Sequence, residues 1–257
     1  MSDNLPRAAG AIAAGVPPPR AMSLEVGAVE DLSPSLRQIR LQGDQLAGFE
    51  FAPGQDLMLR LPGSDGELVS RRYTIRRADS GTGLADIIVV MHGDGPAARW
   101  ARDVAVGQRL AEVIGPRGKI TVDGSAAWHL YLGDETYLPG TLAMFEALPP
   151  EALGRAVLEV SGADDEQALQ GQADVEVCWL HRGDAQPGHP DRLLERLNDW
   201  RDPPGRGHFY IAAEVRVALR LRDQLLARGV PREQVSAKGY WSRGRANANR
   251  GEPDEPS

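Results

Sequence analysis

The sequence predicts an antiparallel β-barrel followed by a parallel α/β domain. Three observations predict it. Up to about residue 122, short apolar runs of strand length are broken every few positions by turn residues. Beyond Gly124 apolar strands alternate with helical segments, the pattern of a parallel sheet. The change of period falls near Asp123-Gly124. The division is then a tail over residues 1–20, a barrel over residues 21–123, an α/β domain over residues 124–245 and a second tail over residues 246–257. Both tails are rich in Ala, Gly, Pro, Asn and charge, the composition of disordered segments.

In the first half, residues 36–41 alternate in part, residues 57–61 and 71–76 alternate, and residues 87–91 read as a buried strand. Turns fall at Ser33-Pro34, Pro53-Gly54, Pro62-Gly63 and Asp79-Ser80-Gly81. One short helix opens at Pro96 and runs to Asp103. In the second half the strands are residues 128–132, 156–160, 175–180, 209–213 and 235–241. The clearest helix covers residues 215–228, with Val215, Ala218, Leu219, Leu225 and Leu226 on one face.

Composition excludes several classes of function. The 257 residues are 42% hydrophobic and 25% charged, ordinary for a globular chain with a sizeable core. The formal charge is -7 and the basic residues are scattered, so no nucleic-acid footprint is expected. Cys178 is the single cysteine, which rules out an intramolecular disulfide or a cysteine-ligated iron–sulfur cluster held by this chain alone. His and Cys residues show no metal-ligand spacing. No apolar run approaches the roughly 18–20 residues of a membrane-spanning helix. Residues 8–16 are too weakly apolar for a secretory signal, so the expectation is a cytoplasmic protein, monomeric by default.

Four segments carry candidate chemistry. In Arg71-Arg72-Tyr73-Thr74-Ile75-Arg76, strand alternation puts Arg71, Tyr73 and Ile75 on one face and Thr74 on the other. An Arg pairs with phosphate, a Tyr ring lies against a flavin, and a Thr hydroxyl bonds a polar ring atom. A solvated edge strand explains the same residues equally well. In His92-Gly93-Asp94-Gly95-Pro96-Ala97-Ala98-Arg99-Trp100 a strand ends in glycines and a helix begins with Pro, the layout of a pyrophosphate site on helix-start amides. There Trp100 also suits the core, and His92 suits an ordinary hydrogen bond.

The third segment, Leu130-Tyr131-Leu132-Gly133-Asp134-Glu135-Thr136-Tyr137-Leu138-Pro139, turns the first α/β strand into its helix, where ligands of parallel sheets bind. Asp134 or Thr136 serves equally as a helix cap there. The fourth pairs Phe209-Tyr210-Ile211-Ala212-Ala213-Glu214 with Lys238-Gly239-Tyr240-Trp241-Ser242-Arg243-Gly244. Small residues before Glu214 permit close approach of a ligand, and Tyr240 with Trp241 offers an aromatic wall. Core closure is the ordinary alternative for that Tyr and Trp.

Taken in this order and spacing, the four segments with Gly115-Pro116-Arg117-Gly118 resemble the siderophore-interacting protein family, flavin-dependent ferric-siderophore reductases of the ferredoxin reductase superfamily. The resemblance covers residues 24–244. It implies an FAD-binding barrel and an NAD(P)H-binding α/β domain. Arg71, Tyr73, Thr74, His92, Gly95, Pro96, Ala97, Ala98 and Trp100 would then form the FAD site. Asp134, Glu135, Thr136 and Glu214 would border the nicotinamide, with Thr136 and Glu214 as the catalytic positions, and Tyr240 and Trp241 would stand as an aromatic wall near a cofactor ring. Arg182 is the candidate for a 2′-phosphate of NADPH, whereas Asp164, Asp165 and Glu166 favour the free ribose of NADH.

The partner implied is a ferric siderophore, reduced to release ferrous iron. A flavin suits that task because a nicotinamide gives a two-electron hydride and ferric iron takes one electron. A lysine that relatives carry on the strand before the Arg-x-Tyr-Thr motif is absent, since that strand reads Asp56-Leu57-Met58-Leu59. Arg117, Lys119, Lys238 and Arg243 remain as basic groups for the siderophore. Two rival readings stay open: a reductase of the same fold with a protein or free-flavin acceptor, and a siderophore-binding carrier without redox function.

Overall fold

The structure is a computed structural model that describes residues 18–243, apart from residues 64, 65, 92 and 94. Residues 1–17 of the tail expected over residues 1–20, the whole tail expected over residues 246–257, and His92 and Gly244 lie outside the described residues. The chain divides into two compact units. Val122 ends the first and Asp123 opens the second, while Leu142–Ala147 group with the first.

The first unit contains β1 (Arg20–Asp31), β2 (Leu36–Gln42), β3 (Asp56–Pro62), β4 (Leu68–Asp79), β5 (Leu84–Val90), helix α1 (Pro96–Asp103) and β6 (Arg109–Arg117). These six strands close into an antiparallel barrel in the order β1-β2-β5-β4-β3-β6. Closure leaves no strand edge unpaired, and strict alternation fills the interior. Leu57, Leu59 and Leu61 of β3 are fully buried against Met22, Leu24, Val26, Ile39, Leu41, Ile75, Ile87 and Val113.

Two barrel strands, β1 and β6, were not separately legible in the sequence. In β1 the register shifts between Met22 and Leu24 and again between Val26 and Ala28, which interrupts the alternation. In β6 the strand takes a glycine at Gly115, before Pro116, because a Cβ there would come within 2.5 Å of Leu57 Cδ2, and a Gly-Pro pair is a weak strand signal. The β4–β5 hairpin turns through Gly83 at φ 69°, where a side chain would be strained. Arg20, placed by the sequence in the N-terminal tail, already opens β1.

The second unit contains β7 (Trp128–Asp134), the start of α2 (Leu138–Glu146), β8 (Leu153–Val160), β9 (Asp174–His181), α3 (Asp191–Asp199), β10 (Gly207–Glu214), α4 (Val215–Ala227) and β11 (Val235–Trp241). All five strands are parallel, in the order β11-β10-β7-β8-β9. β7 and β10 are buried along their whole length, as central strands covered on both faces must be. Between them the chain reverses its direction of winding. That is the topological switch point, and open parallel sheets place ligands outside the carboxyl ends of the strands there.

Candidate functional site

In the first unit the Arg-x-Tyr-Thr motif lies on β4. Register sets Arg71 opposite Leu59 and Tyr73 opposite Leu57, so both share the face of two core leucines. The Tyr73 hydroxyl is buried without a hydrogen-bond partner, and burial raises its pKa. An orphan hydroxyl costs about 1–3 kcal/mol, which a ligand acceptor would recover. Arg71 donates to its neighbour's carbonyl, Nη1 to Ser70 O, at 2.8 Å. No described carboxylate pairs with it, and burial lowers its pKa. A half-buried cation without a counter-ion suits an anion.

The remaining arginines of the motif are engaged. Arg72 Nε donates to Asp56 at 2.8 Å, and Arg76 reaches Glu146 at 2.6 Å through Nη2 and 3.1 Å through Nη1. Thr74 is buried opposite Asp56.

Helix α1 starts at Pro96 with Gly95 as N-cap and no side-chain cap. Its first intrahelical bond is Arg99 N to Gly95 O at 3.0 Å, so the amides of Ala97 and Ala98 precede the helical ladder. Ala98 and Trp100 are buried, and Ala97 packs against the barrel core. Gly93, at φ 64°, and Gly95 are exposed, and a Cβ on either would meet nothing within 4 Å. Open glycines beside uncapped amides leave room and donors for an anion. Trp100 Nε1 is a second buried donor without a partner.

In the second unit the switch point brings four sequence candidates together. Asp134, at the end of β7, is 3% exposed and accepts four hydrogen bonds. Oδ1 receives Thr136 N at 3.0 Å and the Thr136 hydroxyl, and Oδ2 receives Trp241 Nε1 at 2.8 Å and Glu214 N at 3.1 Å. Burial and then the Glu135 charge raise its pKa to about 7, against the lowering by the Thr136 and Trp241 donors. Gly133 is required beside it, because a Cβ would lie 2.3 Å from Ala212 O and 2.9 Å from Tyr137 Cβ.

Glu214 caps helix α4. Its Oε2 accepts from Arg216 N at 2.6 Å and Val217 N at 3.3 Å, and Oε1 from Arg243 N at 3.3 Å. The carboxylate thus ties the start of α4 to the end of β11. Tyr240 stands edge-on to Tyr137 at 5.7 Å, with Lys238 Nζ 5.4 Å from its ring centre. Lys238, expected as a siderophore-facing charge, is only 9% exposed. Arg243 is exposed, and its guanidinium meets Pro187 O and His189 Nε2. Arg117 and Lys119 belong to the first unit, where Lys119 is exposed.

Arg182 follows β9 and is committed within the protein. It pairs with both oxygens of Glu135 at 2.9 Å, with Glu159 at 3.5 Å and with Ser161 Oγ at 2.8 Å. Sequence reasoning missed Glu159 and Ser161. The available signal was an acid inside the apolar β8 run, which a buried strand tolerates only with a cation beside it. Gly188 was missed too; a Cβ there would lie 3.1 Å from both Trp241 Cη2 and Glu214 Cγ.

A closed antiparallel barrel followed by a parallel five-stranded sheet with helices is the ferredoxin-reductase-like fold. A ferredoxin reductase of carbazole 1,9a-dioxygenase shares the fold at 20% identity, with TM-score 0.68 over 87% of this chain and 70% of that one. The chain belongs to the siderophore-interacting protein family: residues 126–244 match the siderophore-interacting protein domain and residues 58–120 the siderophore-interacting FAD-binding domain. It thus carries the FAD-binding domain of that family.

A siderophore utilization protein from T. fusca is 32% identical in its crystal structure, with TM-score 0.83 over 90% of this chain and 96% of that one. Ferric vibriobactin reductase ViuB of Vibrio cholerae is 28% identical over 83% of this chain and 86% of its own length. An uncharacterized protein of Mycobacterium tuberculosis is 37% identical over 68% of this chain, a match spanning 65% of that relative's length. Among the described residues no helix is long and apolar enough to cross a membrane.

Proposed function

We propose that this chain is an NAD(P)H-dependent flavin oxidoreductase that reduces ferric siderophores and releases ferrous iron. The observation that carries the reading is the pair on β4: a buried Tyr73 hydroxyl without a partner and an Arg71 guanidinium without a described carboxylate. Both gain partners when FAD is bound, the hydroxyl from a polar atom and the guanidinium from a phosphate. The likeness to ferric vibriobactin reductase supports the choice of acceptor.

Bound FAD supplies the conversion of a two-electron hydride into the single electrons a ferric complex accepts. The chain's residues position and shield. Arg71, Tyr73 and Thr74 would hold the flavin, and the amides of Ala97 and Ala98, which precede the helical ladder after Gly95 and Pro96, would take the diphosphate, with Trp100 anchoring the helix in the barrel core. Asp134 orients Thr136 and Trp241 at the end of β7, and Glu214 holds α4 and Arg243 in register, so that NADPH or NADH finds a rigid border. Of the basic groups expected to meet an anionic ferric siderophore, Lys238 is buried against Tyr240, which leaves Arg117 and Lys119 on the first unit and Arg243 on the second as candidates, each within its own unit.

The test is an absorbance spectrum of the purified protein, followed by NADH or NADPH without oxygen and then a ferric siderophore. The expected sequence is a yellow protein that bleaches with the nucleotide and regains colour as ferrous chelate forms. A yellow protein that bleaches but passes no electrons to any ferric siderophore would instead assign the acceptor to a protein or free flavin. A colourless protein inert to both nucleotides ends the proposal.

A further inference from the structure

In an open parallel sheet the ribose that may carry a 2′-phosphate lies at the end of the second strand, where an acid accepts from a free 2′-hydroxyl or an available Arg takes the phosphate. Here that strand is β8, and the turn after it is Ser161-Gly162-Ala163-Asp164-Asp165-Glu166. Arg182 reaches this turn, but its guanidinium is spent on Glu135, Glu159 and Ser161, with 8% of its side chain exposed. Asp165 Oδ2 closes the turn on Ser161 N at 3.1 Å, and Glu166 holds His181 Nε2 at 2.7 Å. Arg192 on α3 is exposed and gives Nη1 to His181 O. Five carboxylates, on Glu135, Glu159, Asp164, Asp165 and Glu166, thus share the region with two guanidiniums. A 2′-phosphate would meet net negative charge, and to use Arg182 it would have to strip the counter-ion from two buried glutamates.

We propose that this chain selects NADH over NADPH, with Arg182 acting as a positioning residue that locks Glu135 behind β7 and not as a phosphate ligand. The exposed Asp164, and the exposed Glu166 through the oxygen that does not hold His181, face an unphosphorylated ribose. This inference rests on the nucleotide reading above and deepens it.

Calorimetric titration of the full FAD-loaded chain with NAD+ and with NADP+ tests it apart from turnover. NAD+ is expected to bind at least about tenfold tighter, a difference of about 1.4 kcal/mol. Equal or tighter NADP+ overturns the inference and leaves the nucleotide reading standing, whereas no binding of either overturns both. Glu166→Arg, on an exposed side chain, is expected to raise NADP+ affinity several-fold and leave the fold intact; no gain counts against a ribose at this turn. Arg182→Ala is expected to weaken NAD+ and NADP+ by one common factor, with Arg182→Lys restoring part of it. Loss confined to NADP+ would make Arg182 a phosphate ligand and overturn its assignment.

Discussion

The backbone amide of Glu214 donates to Asp134 Oδ2 at 3.1 Å, joining the carboxyl ends of β10 and β7 across the switch point. The same oxygen receives the Trp241 indole at 2.8 Å, so one carboxylate ties three strand ends together. Asp134→Asn exchanges an acceptor for a donor facing other donors. The variant is expected to lose about 2 kcal/mol of stability and to bind nicotinamide nucleotide more weakly while keeping its flavin. Denaturant melts with nucleotide titration check this; nucleotide affinity unchanged in a destabilised variant would separate Asp134 from the site.

Thr136→Ala and Glu214→Ala address the reduction step. Each is expected to slow reduction of the bound flavin by roughly tenfold or more without abolishing flavin binding, because small displacements of a border are costly to approach geometry. Glu214→Ala also removes the cap of α4, for about 1 kcal/mol of stability. Anaerobic stopped-flow bleaching gives the rates, and equal rates in wild type and both variants would contradict the assignment.

Tyr73→Phe separates stability from binding. Deleting a buried hydroxyl that has no partner is expected to leave the flavin-free protein as stable or more so by about 1 kcal/mol, yet to weaken flavin retention. Arg71→Ala is expected to weaken retention further. Thermal melts with and without FAD, followed by fluorescence of released flavin, distinguish the two effects; a Tyr73→Phe protein that melts early and holds FAD normally would argue for a purely internal role.

His129 supplies a pH dependence. It is 1% exposed on β7, and burial, with the neighbouring His208, lowers its pKa to about 4 from 6.5. The unfolded chain therefore binds this proton first as pH falls. The folded protein loses stability between about pH 6.5 and 4, by roughly 3 kcal/mol at most, and the contribution is complete above pH 6.5. His129→Phe, which keeps a ring beside Tyr210, is expected to flatten unfolding free energy across that window; an unchanged slope between pH 7 and 5 would assign the loss to other groups.

Much of the architecture was legible from periodicity. The helices Pro96–Asp103 and Val215–Ala227 and the strand Val235–Trp241 stand within a residue of their sequence reading, because Pro at a helix start and apolar periodicity are local signals. The face read for the second helix was wrong in part: α4 buries Val217, Ala218, Leu221 and Leu225 and leaves Leu219 39% exposed, because the sheet it packs on sets which side is covered. β6 was hidden by a Gly-Pro pair whose reason, contact with Leu57, is non-local. At the candidate site, residue types were readable and their partners were not. Arg182 illustrates this: a lone Arg after a strand invites a phosphate, and only the fold shows two glutamates already holding it.

By itself the sequence determined the two-part architecture and which side chains lie at strand ends and helix starts, since these depend on neighbours within one turn or one pleat. The tertiary structure alone decided which of those side chains meet. Asp134 and Glu214 are 80 residues apart and touch because β7 and β10 are neighbours in the sheet. Strand order is set by how whole elements bury their apolar faces, and no local stretch of chain carries that information.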